Sequence, residues 1–243
     1  KWKKRFEVKL AIIIPCYNEE ANIKKIVDEC QLLNLPNIEI ETLVVNDCST
    51  DNSLKILKEE GINHLNLPVN LGIGGAVQTG FKYAFRNNFD LAVQLDGDGQ
   101  HPPHEIPKLL QSILDHDLDI VIGSRFIEKK GFQSSKSRRW GIRILEHWCF
   151  LLTRIRIKDI TSGFRMLNRK ALKIVEKEYP DAYPEPETIV LYGLNSLKIG
   201  EVPVEMRARD GGKSSIKKGQ SLYYMVKVAL GMFFMMIKLK RYG

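Results

Sequence analysis

The sequence is poor in the residues that build metal clusters and disulfide frameworks. Its 243 residues include four cysteines and five histidines. Cys16, Cys30, Cys48 and Cys149 form no CxxC pair and no zinc-type spacing with histidine. Neither a zinc site nor a disulfide scaffold is therefore expected; the thiols read as reduced, with Cys16 and Cys48 as small packing residues. No long apolar run follows the basic start KWKKR, since only Leu10–Ile14 precedes Pro15. That run is too short for a signal-peptide core, so secretion is not expected. Gly72, Gly74 and Gly75 lack the spacing and the downstream acid of a dinucleotide fingerprint, which argues against a Rossmann cofactor. The sequence has no internal repeat and no low-complexity stretch.

Acidic residues are also missing from particular places. Lys1–Arg5 and Lys213–Gly243 contain none, with four and seven basic residues respectively, and Arg125–Lys158 carries ten basic residues against Glu128 and Glu146. The chain as a whole has 37 basic and 29 acidic residues, a net +8, so the remainder is an acidic body. Three basic segments on an acidic body point to anionic surfaces or substrates at defined places. No nucleic-acid module or aromatic stacking platform accompanies them, and nucleic acid is not an expected partner. A composition of 44% apolar and 27% charged residues, over this length, suits one folded domain with a short appendage.

Short apolar runs alternate with helical patterns through the first half. Strands are expected at Val8–Ile14, Ile40–Val45, His64–Leu67, Leu91–Leu95 and Ile120–Ile122. Between them, helices are expected after an Asn18 cap with Glu19 and Glu20 in the first turn, after Thr50 or Asp51, over Gly74–Asn87, and after Pro102–Pro103. This alternation specifies an α/β fold with a mostly parallel sheet covered on both faces. From Arg125 the pattern changes to a loop over Gly131–Ser137, an apolar helix over Trp140–Ile157 and a turn at Asp159–Arg165. Helices near Ala171–Lys177 and Glu187–Ser196 and a late strand at Val202–Met206 follow.

Parallel sheets bind ligands beyond the carboxyl ends of their strands. Here those ends carry PCYNEE, NDCSTD, NLGIGGA, DGDGQH and GSR. In DGDGQ, Asp96 and Asp98 are two residues apart and share one side of an extended segment. Gly97 and Gly99 leave room for a ligand to approach the backbone. Two carboxylates and the Gln100 amide oxygen make a hard, open site for Mg²⁺ or Mn²⁺ that still accepts phosphate oxygens. A lone Asp-x-Asp is also an ordinary Asp–Gly turn; the flanking strand and the other polar strand ends favour the metal. His64, His116 and His147 read as core or surface residues; His101, next to Gln100, is the one histidine with a candidate role at the metal or phosphate shell, against the same core reading.

Together the segments IIIPCYNEE, VVNDCSTD, NLGIGGAVQTGF, LDGDGQHPP, IVIGSRF, DITSGFRMLNR and EVPVEMRARDGGKS give the chain a resemblance to family 2 glycosyltransferases of the GT-A fold. Within them it resembles the polyprenyl-phosphate, dolichol-phosphate mannose synthase-like branch, over about Leu10–Ser215. LDGDGQHPP carries the most specificity. The resemblance implies that Pro15, Tyr17, Glu19 and Gly74 line the nucleotide-sugar pocket, with Asp47 reading the base. Asp96, Asp98 and Gln100 would hold the cation on the diphosphate, and Arg209, with Gly212 and Ser214, would close over the phosphates. Arg125, Arg138, Arg139 and Arg165 match acceptor-phosphate positions, and Asp98, Asp159 and Arg209 form the implied catalytic set. Asn46 stands where the family often has the first of two aspartates, and Ser215 where it usually has lysine.

The implied reaction is inverting transfer of a sugar from a UDP- or GDP-linked donor to a polyprenyl phosphate. Extension of a lipid-linked saccharide is the alternative. A phosphate monoester with a second pKa near 6 is largely dianionic at neutral pH and attacks without a strong base, so Asp159 is expected to position groups. The last segment, 216–243, reads as a basic amphipathic helix appended to a domain over 1–215. Its apolar stretch Ser221–Ile237 is interrupted by Lys227 and sits at the lower limit for a span. It suits an interfacial helix on the cytosolic face of an anionic membrane, or one docked to the core, to a second copy or to a small membrane protein.

Overall fold

The computed structural model describes residues 8–128, 131, 136–181, 183–208 and 221–242. Arg209, Gly212, Ser214 and the basic N-terminal residues lie outside them, as does the side chain of Arg138.

The elements run β1 (Val8–Cys16), α1 (Ile23–Gln31), β2 (Ile38–Asn46), α2 (Ser53–Glu59), β3 (His64–Asn66), α3 (Gly72–Arg86), β4 (Leu91–Gln94), α4 (Ile106–Asp115) and β5 (Ile120–Ser124). There follow α5 (Lys136–Thr153), β6 (Arg165–Asn168), α6 (Arg169–Lys177), α7 (Pro184–Leu194), β7 (Ile199–Pro203) and α8 (Ser221–Tyr242). A 3-10 turn, Pro103–Glu105, leads into α4. The seven strands form one sheet in the order β3-β2-β1-β4-β6-β5-β7.

Every pairing is parallel except those of β6, which runs antiparallel to both β4 and β5. The mostly parallel sheet expected from the alternating pattern is therefore present, with one strand reversed. β1 is central and buried from Leu10 to Cys16, as its unbroken apolar run requires of a strand covered on both faces. Its side chains alternate between two cores. Ala11 and Ile13 join Val77, Phe81, Leu145, Leu172 and Val190 on one side. Leu10, Ile12 and Ile14 join Ile23, Val27, Leu109 and Ile113 on the other. Each such side chain, fully buried, contributes about 1.5–3 kcal/mol.

Several boundaries differ from those read in the sequence. Asn18 does not cap a helix: it has φ +57, and its Oδ1 accepts the Thr50 N–H at 2.8 Å and the Asp51 N–H at 3.3 Å. Helix α1 begins five residues later, behind Asn22. Asp51 does accept a first-turn donor of α2, the Ser53 N–H at 2.9 Å. β7 starts at Ile199, three residues before the expected strand, because its pairing partner is β5 across Ile120↔Ile199. Helix α5 occupies Lys136–Thr153, starting and ending earlier than its apolar pattern suggested.

Helix α8 lies against the body. Val228, Met232 and Met235 are buried in the same core as α7 residues, and Trp148 Nε1 donates to the Ala229 carbonyl at 3.1 Å. Lys238 pairs with Glu178 at 2.8 Å, and Lys227 sits over the Tyr183 ring. The opposite face exposes Val226, Leu230, Phe234 and Ile237. No helix among the described residues is long and apolar enough to cross a membrane.

Candidate active site

The loops after β1 and β2 are stitched together. The Asn18 N–H donates to Ser49 Oγ at 3.0 Å, the Glu19 N–H to Ser53 Oγ at 2.9 Å, and the Glu20 N–H to Asp51 Oδ2 at 3.1 Å. Glu20 in return accepts the Asn52 N–H at 2.9 Å. This mesh holds PCYNEE against NDCSTD, with Tyr17 half exposed and Glu19 buried. Pro15 is buried at the end of β1, opposite Val45. Asp47 is buried as well, and its Oδ1 accepts the Leu71 N–H at 2.7 Å, fastening the approach to α3. The Asn46 amide donates to Asn66 Oδ1 at 2.6 Å, while its own oxygen is buried and unpartnered. Gly74 is needed for packing: a Cβ there would collide with the carbonyl oxygens of Pro180 and Asp181.

The carboxylate loop follows β4. Asp98 is nearly buried and its Oδ1 accepts the Gln100 N–H at 3.0 Å, closing an Asx turn with Gly99 at φ +79. Asp96 is partly exposed, and its Oδ1 accepts the Gln94 amide at 3.0 Å. Gly97 lies so close to the Pro15 carbonyl that a Cβ would come within 2.7 Å. Among the described residues no group of three or more His, Cys, Asp or Glu gathers to hold a metal ion. The set expected from the sequence, Asp96, Asp98 and the Gln100 amide, offers two carboxylates and one amide, all oxygen donors. That fits Mg²⁺ or Mn²⁺, which bind through one or two carboxylates and leave positions for substrate phosphates.

The segment 159–165 crosses this loop. A Cβ on Gly163 would lie 3.1 Å from Asp96 Oδ1 and 2.8 Å from Gln94 Nε2, so any larger residue would displace the Gln94 amide from this approach. Asp159 is fully buried and takes both nitrogens of the Arg125 fork, Nε to Oδ2 and Nη2 to Oδ1, each at 2.7 Å. Burial works against the Arg125 charge, but the bond to Asp159 and its charge hold the guanidinium pKa above its ordinary value. Phe126 has the guanidinium of Arg125 on its ring at 5.3 Å and that of Arg139 at 5.1 Å. Arg139 lines a cavity of about 340 Å³ with Phe126, Ile142, Arg143, Glu146 and Lys158.

Arg165 is 2% exposed and donates to the carbonyls of Ser162 (2.7 Å) and Ile160 (3.0 Å) and to Thr188 Oγ1 (2.6 Å). This geometry gives it a positioning role within the 160–162 turn, in place of the expected contact with an acceptor phosphate.

Two residues escaped the sequence reading. Glu201 of β7 accepts the main-chain N–H groups of Lys158 (2.8 Å) and Asp159 (2.9 Å), fixing the turn that presents Asp159. Burial raises its carboxyl pKa. Glu185, in the first turn of α7, is raised by burial too; the Arg165 charge opposes that shift and the Asp96 charge adds to it. The repeated acid-proline pattern PEPE and the motif EVPV were the available signals.

A mostly parallel sheet with one reversed strand, an Asp-x-Asp loop at its carboxyl end and a buried carboxylate–arginine pair beside that loop match the GT-A fold. The Glycosyl transferase family 2 model matches residues 11–175; the chain belongs to that family and is a glycosyltransferase. Among solved structures it is similar to glucosyl-3-phosphoglycerate synthase from Mycobacterium tuberculosis in complex with Mn²⁺, UDP and product. The TM-score is 0.65 at 17% identity, over 96% of this chain and 80% of that one. It is also similar to S. aureus TarS with UDP-GlcNAc, at TM-score 0.63 and 19% identity, over 91% of this chain and 65% of that one. Among curated relatives it is 34% identical, over 80% of this chain and 84% of the other, to a UDP-N-acetylglucosamine–dolichyl-phosphate N-acetylglucosaminyltransferase of Methanococcus voltae. It is 28% identical to the polyprenol monophosphomannose synthase of Mycolicibacterium smegmatis, over 90% and 84% of the two chains.

Proposed function

We propose that the chain transfers one sugar, with inversion, from a nucleotide-diphosphate sugar to a polyprenyl phosphate at the cytosolic face of a membrane. The observation that carries this reading is the convergence of two sites at one end of the sheet. The Asp96–Asp98 loop and the Asp159–Arg125 pair meet where Gly163 passes over Asp96. The relatives named for dolichyl-phosphate and polyprenol substrates support the acceptor class.

Asp96, Asp98 and Gln100 would hold Mg²⁺ or Mn²⁺, which when bound supplies charge to stabilise the departing nucleoside diphosphate. Pro15, Tyr17, Glu19 and Asp47 frame the nucleotide side, and Arg209, outside the described residues, would close over the phosphates as the resemblance implies. The acceptor phosphate is assigned to the cavity lined by Arg139, Arg143 and Lys158, and the resemblance adds Arg138, whose side chain lies outside the described residues. Guanidinium forks match phosphate oxygens two at a time. The acceptor is its own nucleophile as a dianion, so Asp159 keeps Arg125 in place and is not needed as a general base. Trp140 and Ile144 on α5 and the exposed face of α8 supply an apolar surface beside basic segments, suited to lying on an anionic bilayer. We treat 1–215 as the transferase domain and 216–243 as its membrane-proximal helix, which also offers a surface to a second copy or a small membrane protein.

The test supplies purified protein with radiolabelled UDP- and GDP-sugars, undecaprenyl or dolichyl phosphate, and Mg²⁺ or Mn²⁺. An organic-extractable, mild-acid-labile product is expected. Its absence with every donor, or label entering only a lipid-linked saccharide, overturns the proposal.

A further inference from the structure

The motif DGDGQHPP contains a histidine that the metal site does not use. His101 is 4% exposed and its ring stacks on Phe164, with centroids 5.1 Å apart and planes 15° apart. Its Nδ1 accepts the main-chain N–H of Asp96 at 3.1 Å, and its Nε2 lies 3.6 Å from Asp96 Oδ2.

The topology explains why that N–H needs a partner. β6 lies between β4 and β5, and its pairing with β4 stops at Val93↔Met166, one residue short of the β6 start at Arg165, which pairs only on the β5 side, with Ile122. Phe164 already gives its carbonyl to the Gly123 N–H at 2.8 Å. The Leu95 N–H turns toward β1 and bonds the Ile13 carbonyl at 2.9 Å, so the next N–H, that of Asp96, turns toward the gap. A buried main-chain donor left without an acceptor is destabilising. The Gly99 turn folds the chain back, and the His101 ring fills the gap between Asp96 and Phe164.

We infer that His101 is a positioning residue, which locks the main chain of Asp96 and so sets the approach of the two metal-binding carboxylates. The inference rests on the reading of Asp96 and Asp98 as cation ligands. The bond also fixes the tautomer, because a nitrogen that accepts a hydrogen bond carries no proton: the ring's N–H is on Nε2, facing the Asp96 carboxylate. Partners of this kind, one step behind the ligands, typically change metal affinity about 10–100-fold when removed.

Two variants separate this role from core filling. His101→Phe keeps the ring stack and loses the acceptor; His101→Asn loses the ring and keeps an acceptor oxygen near the Nδ1 position. The readout is Mn²⁺ binding to the full chain in the presence of UDP, followed by the electron paramagnetic resonance of free Mn²⁺. His101→Asn is expected to bind close to wild type, and His101→Phe about 10-fold or more weakly while still unfolding cooperatively, with a melting temperature lower by several degrees for the orphaned Asp96 N–H. Equal binding by wild type and His101→Phe, or equal losses in both variants, overturns the inference. Independently of whether the variants fold, ¹⁵N spectra of the wild-type histidines should show His101 as the Nε2–H tautomer, and the Nδ1–H form overturns it. A wild-type chain that binds no Mn²⁺ refutes the metal reading instead, and the tautomer then still decides the role of His101.

Discussion

Arg125 and Asp159 face each other fork to fork, 34 residues apart in sequence, with both heavy-atom distances at 2.7 Å. The Arg125 main-chain N–H adds a third bond to Oδ2 at 3.1 Å, and Thr161 Oγ1 accepts from Nη2 at 2.9 Å. Asp159 is closed to solvent and the Arg125 side chain is only 10% exposed, so each charge depends on the other.

Removing one partner strands the other. Asp159→Asn preserves shape but leaves a buried guanidinium uncompensated, and should lower unfolding free energy by roughly 3–5 kcal/mol. Urea titration measures this. The pH profile of kcat separates positioning from base catalysis. The acid limb should follow the acceptor phosphate, near pH 6, in both wild type and variant. Loss of that limb in Asp159→Asn would assign the proton to Asp159.

The carboxylate loop should depend on metal in a simple way. Chelation with EDTA should abolish turnover, and Mg²⁺ or Mn²⁺ should restore it. Asp98→Ala should reduce kcat by about 100-fold or more, as losses of charge stabilisation at a leaving group commonly do. Asp98 is nearly buried and shapes the Asx turn through the Gln100 N–H, so Asp98→Asn, which keeps that acceptor, should fold normally while remaining inactive.

Glu201 has a different signature. It receives two main-chain donors, from Lys158 and Asp159, and an amide offers only one oxygen. Glu201→Gln should therefore cost about 1–3 kcal/mol and loosen the Asp159 turn. Because the turn presents Asp159 to Arg125, KM for the acceptor should rise more than KM for the donor. Equal changes in both would deny Glu201 a specific link to the acceptor side.

Much of this was legible in the sequence, and the remainder has physical reasons. β1 announced itself because a strand buried on both faces must be apolar throughout, and Leu10–Cys16 is. The DGDGQ loop was legible because its chemistry is local: both carboxylates and the amide lie within five residues. β6 was not, since it has four residues and opens on Arg165, whose burial only its three internal acceptors make tolerable. The partnership of Arg125 with Asp159, and of Asp159 with Glu201, arises where β5, β7 and the 159–165 segment meet. No local spacing encodes such a meeting. Asn18 misled for a related reason: a good capping residue was used to tie two loops together across the sheet end.

The contact between α7 and α8 should respond to pH. Burial, with help from Asp181 and Glu185, pushes the Glu187 carboxyl up to about 7, against an opposing pull from Lys227. Its oxygen lies where a Cβ on Gly231 of α8 would stand, at 2.5 Å. A carboxyl raised in the folded state favours folding while protonated, so its contribution is fully present below the unfolded value near 4.5 and is lost as pH rises through about 7. Melting temperature should fall over that window, and Glu187→Gln should flatten the part of the slope due to this group. An unchanged slope in the variant would place the pH dependence elsewhere, with Glu146, Glu185 and Glu201 the next groups to test.

The two faces of α8 should separate stability from membrane binding. Val228, Met232 and Met235 repeat at helical spacing into the core, so Met232→Ser should lower stability by about 2–5 kcal/mol, as loss of a buried methionine does. Leu230, Phe234 and Ile237 repeat on the opposite face, and Phe234 is 60% exposed. Replacing all three by serine removes no core contact and should leave the melting temperature within a degree or two of wild type. Sedimentation with vesicles of anionic phospholipid should nevertheless fall sharply, because an interfacial helix binds through apolar area aided by basic flanks. Salt should weaken the residual binding through those flanks, Lys217, Lys218, Lys238, Lys240 and Arg241. If vesicle binding is unchanged but a dimer is lost, the face belongs to a second copy of the chain; if neither changes, α8 has no partner on that side.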